Sequence, residues 1–205
     1  MKISKITATI ALLCLGAAAA GAQEYEKFME AAKEQSVLYR GRQATQYTTT
    51  CNGTYFWSSK SFQEGSVLYN HKLYTGVLLN IDALSQRLLV RLSNDQSAVS
   101  LSTDEVEWCK IGSRVFVNLR QKGVGGAEQG FYEVLSEEAQ VYLRVDKSIH
   151  NAVDSKNGEG IGYHDPDYRN DVLSYYAYVP RYYMMKDGKL TKVSKKKALK
   201  NAGKN

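Results

Sequence analysis

The chain carries few of the residues that mark an active site, with three histidines and three cysteines in 205 residues. It has no Gly-x-Ser-x-Gly and no His-Glu-x-x-His, which removes the positive case for the commonest hydrolases without excluding an enzyme. Gly123-Val124-Gly125-Gly126 is glycine-rich, but no parallel strand and helix surround it as a phosphate loop requires. His150 and His164 stand too far apart, with no third ligand near them, for a zinc signature. Beyond the N-terminus no segment is long and apolar enough to cross a membrane as a helix. Internal repeats and an interdomain linker are also missing. None of these motifs therefore assigns a catalytic group or metal ligand, and no cofactor is called for.

The N-terminus is the most informative stretch that is present. Lys2 and Lys5 precede an apolar run from Ile6 to Leu15 and the small residues Ala20-Gly21-Ala22. That order of charge, apolar core and small residues is a cleavable export signal, and its core falls short of the about 20 residues a membrane span needs. Residues 1–22 are expected to be removed, so that the mature chain starts near Gln23 in the periplasm, at the outer membrane or outside the cell. Cys14 follows Leu13, where a lipidation site wants a small residue. The remaining 183 residues suit one domain. Outside the cytoplasm the two cysteines left, Cys51 and Cys109, are candidates for a disulfide. Closing 58 positions would stabilise the fold by about 4 kcal/mol in the chain-entropy model. The alternative is two buried, unpaired thiols.

Charge is unevenly spread. The formal net charge is +6, yet residues 186–205 hold eight lysines against Asp187 alone, so this end carries +7 and residues 23–185 carry −3. Such an end is either a solvated, frayed terminus or a means of electrostatic attachment to an anionic surface such as lipid headgroups or acidic glycan. Nucleic acid is not an expected partner, because export separates the protein from it and no arginine and aromatic patch accompanies the lysines.

Periodicity divides the mature chain. Tyr25, Phe28, Met29 and Ala32, spaced three and four apart, predict an amphipathic helix over residues 23–36. From about Ala44 the period becomes 2. In Arg87-Leu88-Leu89-Val90-Arg91-Leu92 the alternation sets Leu88, Val90 and Leu92 on one face and both arginines on the other. It returns at Val115 to Leu119, at Val141 to Val145 and around Trp108. The joints are short, which selects antiparallel neighbours. Asn70-His71 as a two-residue turn sets Leu68 opposite Leu73 and Val67 opposite Tyr74, although His is a poor second residue and a longer loop is the alternative. Asp187-Gly188 is a cleaner hairpin turn. The expected fold is mainly β: a β domain over 37–193, an antiparallel meander of about ten strands forming a barrel or sandwich, after a short N-terminal helix. Residues 194–205 form a lysine-rich tail, in which Ser194 can cap a turn or two of helix with Ala198, Leu199 and Ala202 as its apolar contacts.

Residues 154–171 break the rhythm with three glycines and a proline, and read as an exposed loop. Their acids do not match a calcium loop, since Lys156 stands at the third position and no Glu at the twelfth. Glu105 and Glu107, two apart on an expected strand, could share a face as glycosidase carboxyls do, or form a solvated face. Fifteen tyrosines are the more suggestive population. Tyr175, Tyr176, Tyr178, Tyr182 and Tyr183 crowd one expected strand, and adjacent strand residues point to opposite faces. They tile the outside of a β-protein with hydroxyls in water, or form a contact surface for a partner protein or a sugar ring.

One resemblance adds to this reading. Gly65-Ser66-Val67-Leu68-Tyr69, Tyr74-Thr75-Gly76-Val77-Leu78-Leu79-Asn80-Ile81-Asp82, Leu88-Leu89-Val90-Arg91, Gly130-Phe131-Tyr132-Glu133-Val134-Leu135 and the closing Tyr182-to-Lys197 occur in an order that resembles a group of exported, uncharacterised β-rich proteins of Bacteroidota. Members of that group are often encoded near TonB-dependent outer-membrane receptors and FecR-like regulators. The resemblance implies export, β architecture and work in the envelope, and assigns no catalytic residue. The leading expectation is an exported, non-enzymatic interaction or ligand-binding module with an outer-membrane or periplasmic protein or a glycan as partner. The alternatives are an envelope hydrolase with acids from separate strands and a small-ligand carrier in a closed barrel.

Overall fold

The computed structural model describes residues 37–47, 51–92, 97–151 and 174–203. The expected leader, the helix read over 23–36 and the loop 154–171 lie outside them. Residues 1–40 form one unit, whose described part is a 3-10 turn at Val37–Tyr39. The second unit is a mainly β body. Its eleven strands are β1 (Arg42–Gln43), β2 (Gln63–Tyr69), β3 (Lys72–Asp82), β4 (Arg87–Arg91), β5 (Val99–Ser100), β6 (Val106–Ile111), β7 (Arg114–Val117), β8 (Tyr132–Ser136), β9 (Val141–Asn151), β10 (Ser174–Lys186) and β11 (Lys189–Val193). They form one antiparallel sheet in the order β1-β5-β4-β3-β2-β6-β7-β8-β9-β10-β11.

Local chemistry sets the hairpins. Asn70 and His71 both adopt positive φ (48° and 60°), and the two-residue turn places Leu68 opposite Leu73 and Val67 opposite Tyr74. His71 tolerates the position because it is exposed and its ring lies 2.9 Å from Glu107. Asp187 and Gly188 repeat the geometry at 50° and 73°, where glycine carries no Cβ penalty. From β6 to β11 the strands follow one another as a meander.

The barrel expectation is corrected. Closure requires the two ends of the strand order to pair, and here β1 and β11 remain separate edges, so the sheet is open. Lengths explain this, since β1 and β5 have two residues each while β10 has thirteen. The outer side of β11 meets a loop instead, through the Leu190 N–H donating to the Gly125 carbonyl (2.9 Å). The sheet nevertheless curls until distant strands meet. Lys147 N–H on β9 donates to Ala83 C=O after β3 (2.9 Å), and the segment 52–57 bridges β3 at Phe56↔Asp82 and β10 at Asn52↔Tyr175.

Both faces of the sheet carry buried side chains. Residues directly opposite on neighbouring strands share a face, which yields one row across seven strands: Val67, Cys109, Phe116, Glu133, Leu143, Tyr182 and Val193. On β4 the expected alternation fails, because Leu88, Leu89 and Val90 are all buried. Leu89 packs with Phe56 and Phe62, brought over it by the segment before β2, and with Ala98 just before β5. A second cluster joins Tyr132 and Tyr183 to Leu119 and Leu190 under the connection 118–131. The C-terminal stretch forms α1 (Lys195–Asn201), where the Ser194 hydroxyl accepts from Lys197 N–H and Ala198 is fully buried, with α1 packed against β9 and β10.

Candidate functional site

The tyrosines of β10 do not make one surface, and the pleat is the reason. Tyr183 points into the core against Tyr132, with ring centroids 5.6 Å apart, so its expected place in a contact face is corrected. Tyr175 shares its side of the strand and stacks on His150 at 5.7 Å. Tyr176, Tyr178 and Tyr182 project from the opposite side. Tyr176 meets the edge of Tyr55 at 6.0 Å, and burial, reinforced by Cys51 beside its hydroxyl, pushes its pKa up. Only Tyr178 is widely open, at 53% exposure, with the Lys147 ammonium 5.2 Å from its ring.

Tyr178 and Tyr182 border a charged and aromatic group on the same face. Tyr182 continues across the sheet to Leu143, Glu133 and Phe116. The Arg114 guanidinium reaches Glu133 at 3.3 Å and lies over the Trp57 ring at 4.9 Å, while Trp57 meets Phe116 edge to face at 4.9 Å. Phe56 and Trp57 thus serve opposite faces, as neighbours on an extended segment must. Burial raises the Tyr178 pKa, with Tyr182 and Glu133 adding to the rise and Arg114 opposing it, so all four groups share one local field.

Beside this group the sheet comes apart. β7 and β8 pair only at Phe116↔Glu133 and Val117↔Tyr132, although β7 begins at Arg114 and β8 runs on to Ser136. β8 instead stays with β9, where an irregularity between Val134 and Ser136 takes up one residue. The opening that results has a volume of about 700 Å³, with Arg114 and Val115 on one wall, Val134 and Leu135 on the other, and Leu143 and Met185 among its lining. Lys122 and Glu137 add a charge of each sign. Such a cleft can hold an apolar group and offers strand backbone on two sides.

Sequence reasoning named Val115 only as part of a half-buried strand and did not single out Arg114, Glu133, Leu135 or Leu143. The available signal was Glu133, an acid inside Phe131-Tyr132-Glu133-Val134-Leu135, where a buried strand has a carboxylate to satisfy. The paired acids read elsewhere are not a pair on one strand. Glu105 closes a 3-10 turn at Thr103–Glu105, whereas Glu107 lies on β6 beside His71. Glu105 also helps burial push the Tyr69 pKa up to about 12.

The disulfide expectation is corrected as well, since Cys51 and Cys109 are both free. Cys109 is completely buried on β6 between Val67 and Phe116, and burial pushes its thiol well above the usual range. Cys51 stands near Tyr176, away from it along the sheet. Among the described residues no three of His, Cys, Asp and Glu gather as a metal site. No helix among them is long and apolar enough to cross a membrane. Comparison with protein-family models, with curated proteins and with solved structures finds no match.

Proposed function

We propose that the protein is an exported, non-enzymatic binding module that takes an extended segment of an envelope protein into the cleft between β7 and β8. The observation that carries this reading is the early end of the β7–β8 ladder, which leaves strand backbone and aliphatic side chains facing a shared opening. An entering strand would gain main-chain hydrogen bonds from the open ladder and specificity from alternate side chains set among Val115, Leu135 and Leu143. Tyr178 and Tyr182 supply a rim of the kind that anchors partners. The hydrolase alternative would draw on Glu133 and Glu137, but Glu133 is already engaged by Arg114. A second reading, an apolar small ligand in the same cleft, is favoured by its volume, which falls in the range of about 300–1,000 Å³ typical of small-molecule sites. The envelope setting comes from the leader and from the resemblance.

Capture from solubilised envelope separates these readings. The exported form should retain a specific protein, and Leu135→Trp, which fills the cleft, should lose it while near-UV circular dichroism stays unchanged. Capture that survives Leu135→Trp and fails in Tyr178→Ala/Tyr182→Ala moves the contact to the tyrosine face. If nothing is retained, the protein-binding reading falls and a small-molecule screen against the cleft follows.

A further inference from the structure

Basicity at the C-terminal end belongs to folded elements. Lys186 and Lys189 share one side of the β10–β11 hairpin, Lys192 lies on the other side of the edge strand β11, and Lys195, Lys196, Lys197 and Lys200 lie on α1. All seven are exposed. Among the described residues none of them is within ion-pair distance of a carboxylate, and Asp187 is the sole acid from Lys186 to Gly203.

Their placement works against stability. Lys186 faces Lys189 directly across the hairpin, and like charges in that position repel. Lys196 and Lys200 are one helical turn apart, another repelling arrangement. Ala198 turns α1 toward the sheet, so Lys196 and Lys200 project from the far side of the helix. A soluble surface has no need of three successive lysines without an intervening acid, since mixed signs serve solubility with less repulsion.

We propose that β11 and α1 form a docking surface for an anionic lipid bilayer. Charge complementarity argues for the occupant. The patch is lysine throughout, and lysine is a compact point charge suited to a diffuse anionic layer, whereas a defined phosphate site favours the bidentate fork of arginine. No aromatic residue occurs from Lys186 to Gly203, so the stacking that sugar recognition uses is missing here. Polybasic segments gather at anionic membranes additively, lysine by lysine. This surface rests on observations separate from those of the β7–β8 cleft.

Vesicle sedimentation tests it, using the exported form with vesicles of phosphatidylglycerol and phosphatidylcholine in equal parts or of phosphatidylcholine alone. Binding to the anionic vesicles is expected in about 50 mM salt, falling at least about tenfold by about 500 mM, with none to the neutral vesicles. Replacing Lys186, Lys189, Lys192, Lys196, Lys197 and Lys200 with Gln should reduce anionic binding by at least about a hundredfold. A control with Lys60→Gln, Lys72→Gln and Lys110→Gln, which removes cations elsewhere, should bind as the unchanged protein does. Both variants must show unchanged far-UV circular dichroism. Equal losses in variant and control, undiminished binding in the six-lysine variant, or retention on dextran sulfate without vesicle binding would each overturn the proposal.

Discussion

β9 and β10 pair without interruption from Val141↔Met184 to Asn151↔Ser174, while β7 and β8, two strands away in the same sheet, part after Val117↔Tyr132 and Phe116↔Glu133. Sequence alone would not rank them this way, since β7 and β8 are as rich in β-branched and aromatic residues as their neighbours. What differs is the surroundings. Along the paired region Arg144, only 5% exposed, holds Asp146 at 3.0 Å and donates to the Gln129 carbonyl at 2.8 Å, which ties the connection 118–131 down onto the sheet. Across the opening, Arg114 is half in water and reaches one carboxylate. A satisfied buried cation fixes its neighbours, because losing its partners would leave a charge out of water. A half-exposed one leaves room for something to enter.

The largest test of this contrast is Tyr132→Ala. Tyr132 makes the β7–β8 pair next to the connection 118–131, is fully buried, packs edge-on against Tyr183, and through its hydroxyl meets Glu128 N–H (2.8 Å) and Arg144. Its truncation should cost about 3–5 kcal/mol in urea unfolding, whereas Tyr132→Phe should cost about 1 kcal/mol. Gly65→Ala comes next. A Cβ on Gly65 would run into the Lys110 carbonyl where β2 passes between β3 and β6, so the fold should lose about 1–3 kcal/mol through the β2–β6 ladder. A neutral outcome would mean that this ladder gives way as easily as the open one.

The hairpins were legible because their determinants are local. Asn70 and Asp187-Gly188 carry their own φ preferences, and the register of Leu68 against Leu73 follows once Asn70-His71 is taken as a two-residue turn, which His71 left open against a longer loop. The Ser194 cap and the buried Ala198 were readable for the same reason. Burial of Leu89 was not, because the residues that cover it, Phe56 and Phe62, come from a segment that crosses the outer face. Nor was the cleft, because β7 and β8 are joined through residues 118–131 and the point at which their ladder stops depends on how that long connection packs. The tyrosines were found as a population, and the pleat then divided them, sending Tyr183 inward and Tyr178 outward.

The cysteines extend the contrast at a smaller scale. Cys109→Ser should cost about 1–3 kcal/mol, because a hydroxyl would enter a dry site; Cys51→Ser should stay within about 0.5 kcal/mol. In a chain starting at Gln23, which lacks Cys14, one thiol should react with a soluble disulfide reagent, and two only after denaturation. Immediate reaction of neither would indicate a bond between them.

Alkaline titration probes hydroxyls outside both the β9–β10 and the β7–β8 ladders. Burial, with Asp82 contributing, pushes the Tyr47 pKa up to about 12, and Tyr69 is raised to about the same value by burial and Glu105. A tyrosine whose folded pKa exceeds its unfolded value of about 10 gives its full stabilisation below pH 10, and loses it as pH climbs toward 12. The urea midpoint should therefore fall across that window, and less steeply in Tyr47→Phe/Tyr69→Phe. Equal slopes would show that these hydroxyls are as accessible as those of the unfolded chain.

The smallest effect gives the sharpest comparison, since it lies within one strand. Val115 and Val117 share a face of β7 and both line the cleft, but Val117 is half-buried, pairs with Tyr132 and packs beside Leu119 and Val124, whereas Val115 is 36% exposed. Threonine keeps the β-branched shape and adds a hydroxyl. At position 117 that hydroxyl should cost up to about 1 kcal/mol, because it is partly withdrawn from water beside Leu119 and Val124; at position 115 it should change stability by no more than about 0.5 kcal/mol. If Val115→Thr nevertheless weakens capture of the proposed envelope partner, the valine is retained for what enters the opening. If Val115→Thr destabilises as much as Val117→Thr, the ladder closes over Val115 in solution and there is no room beside it for a partner strand.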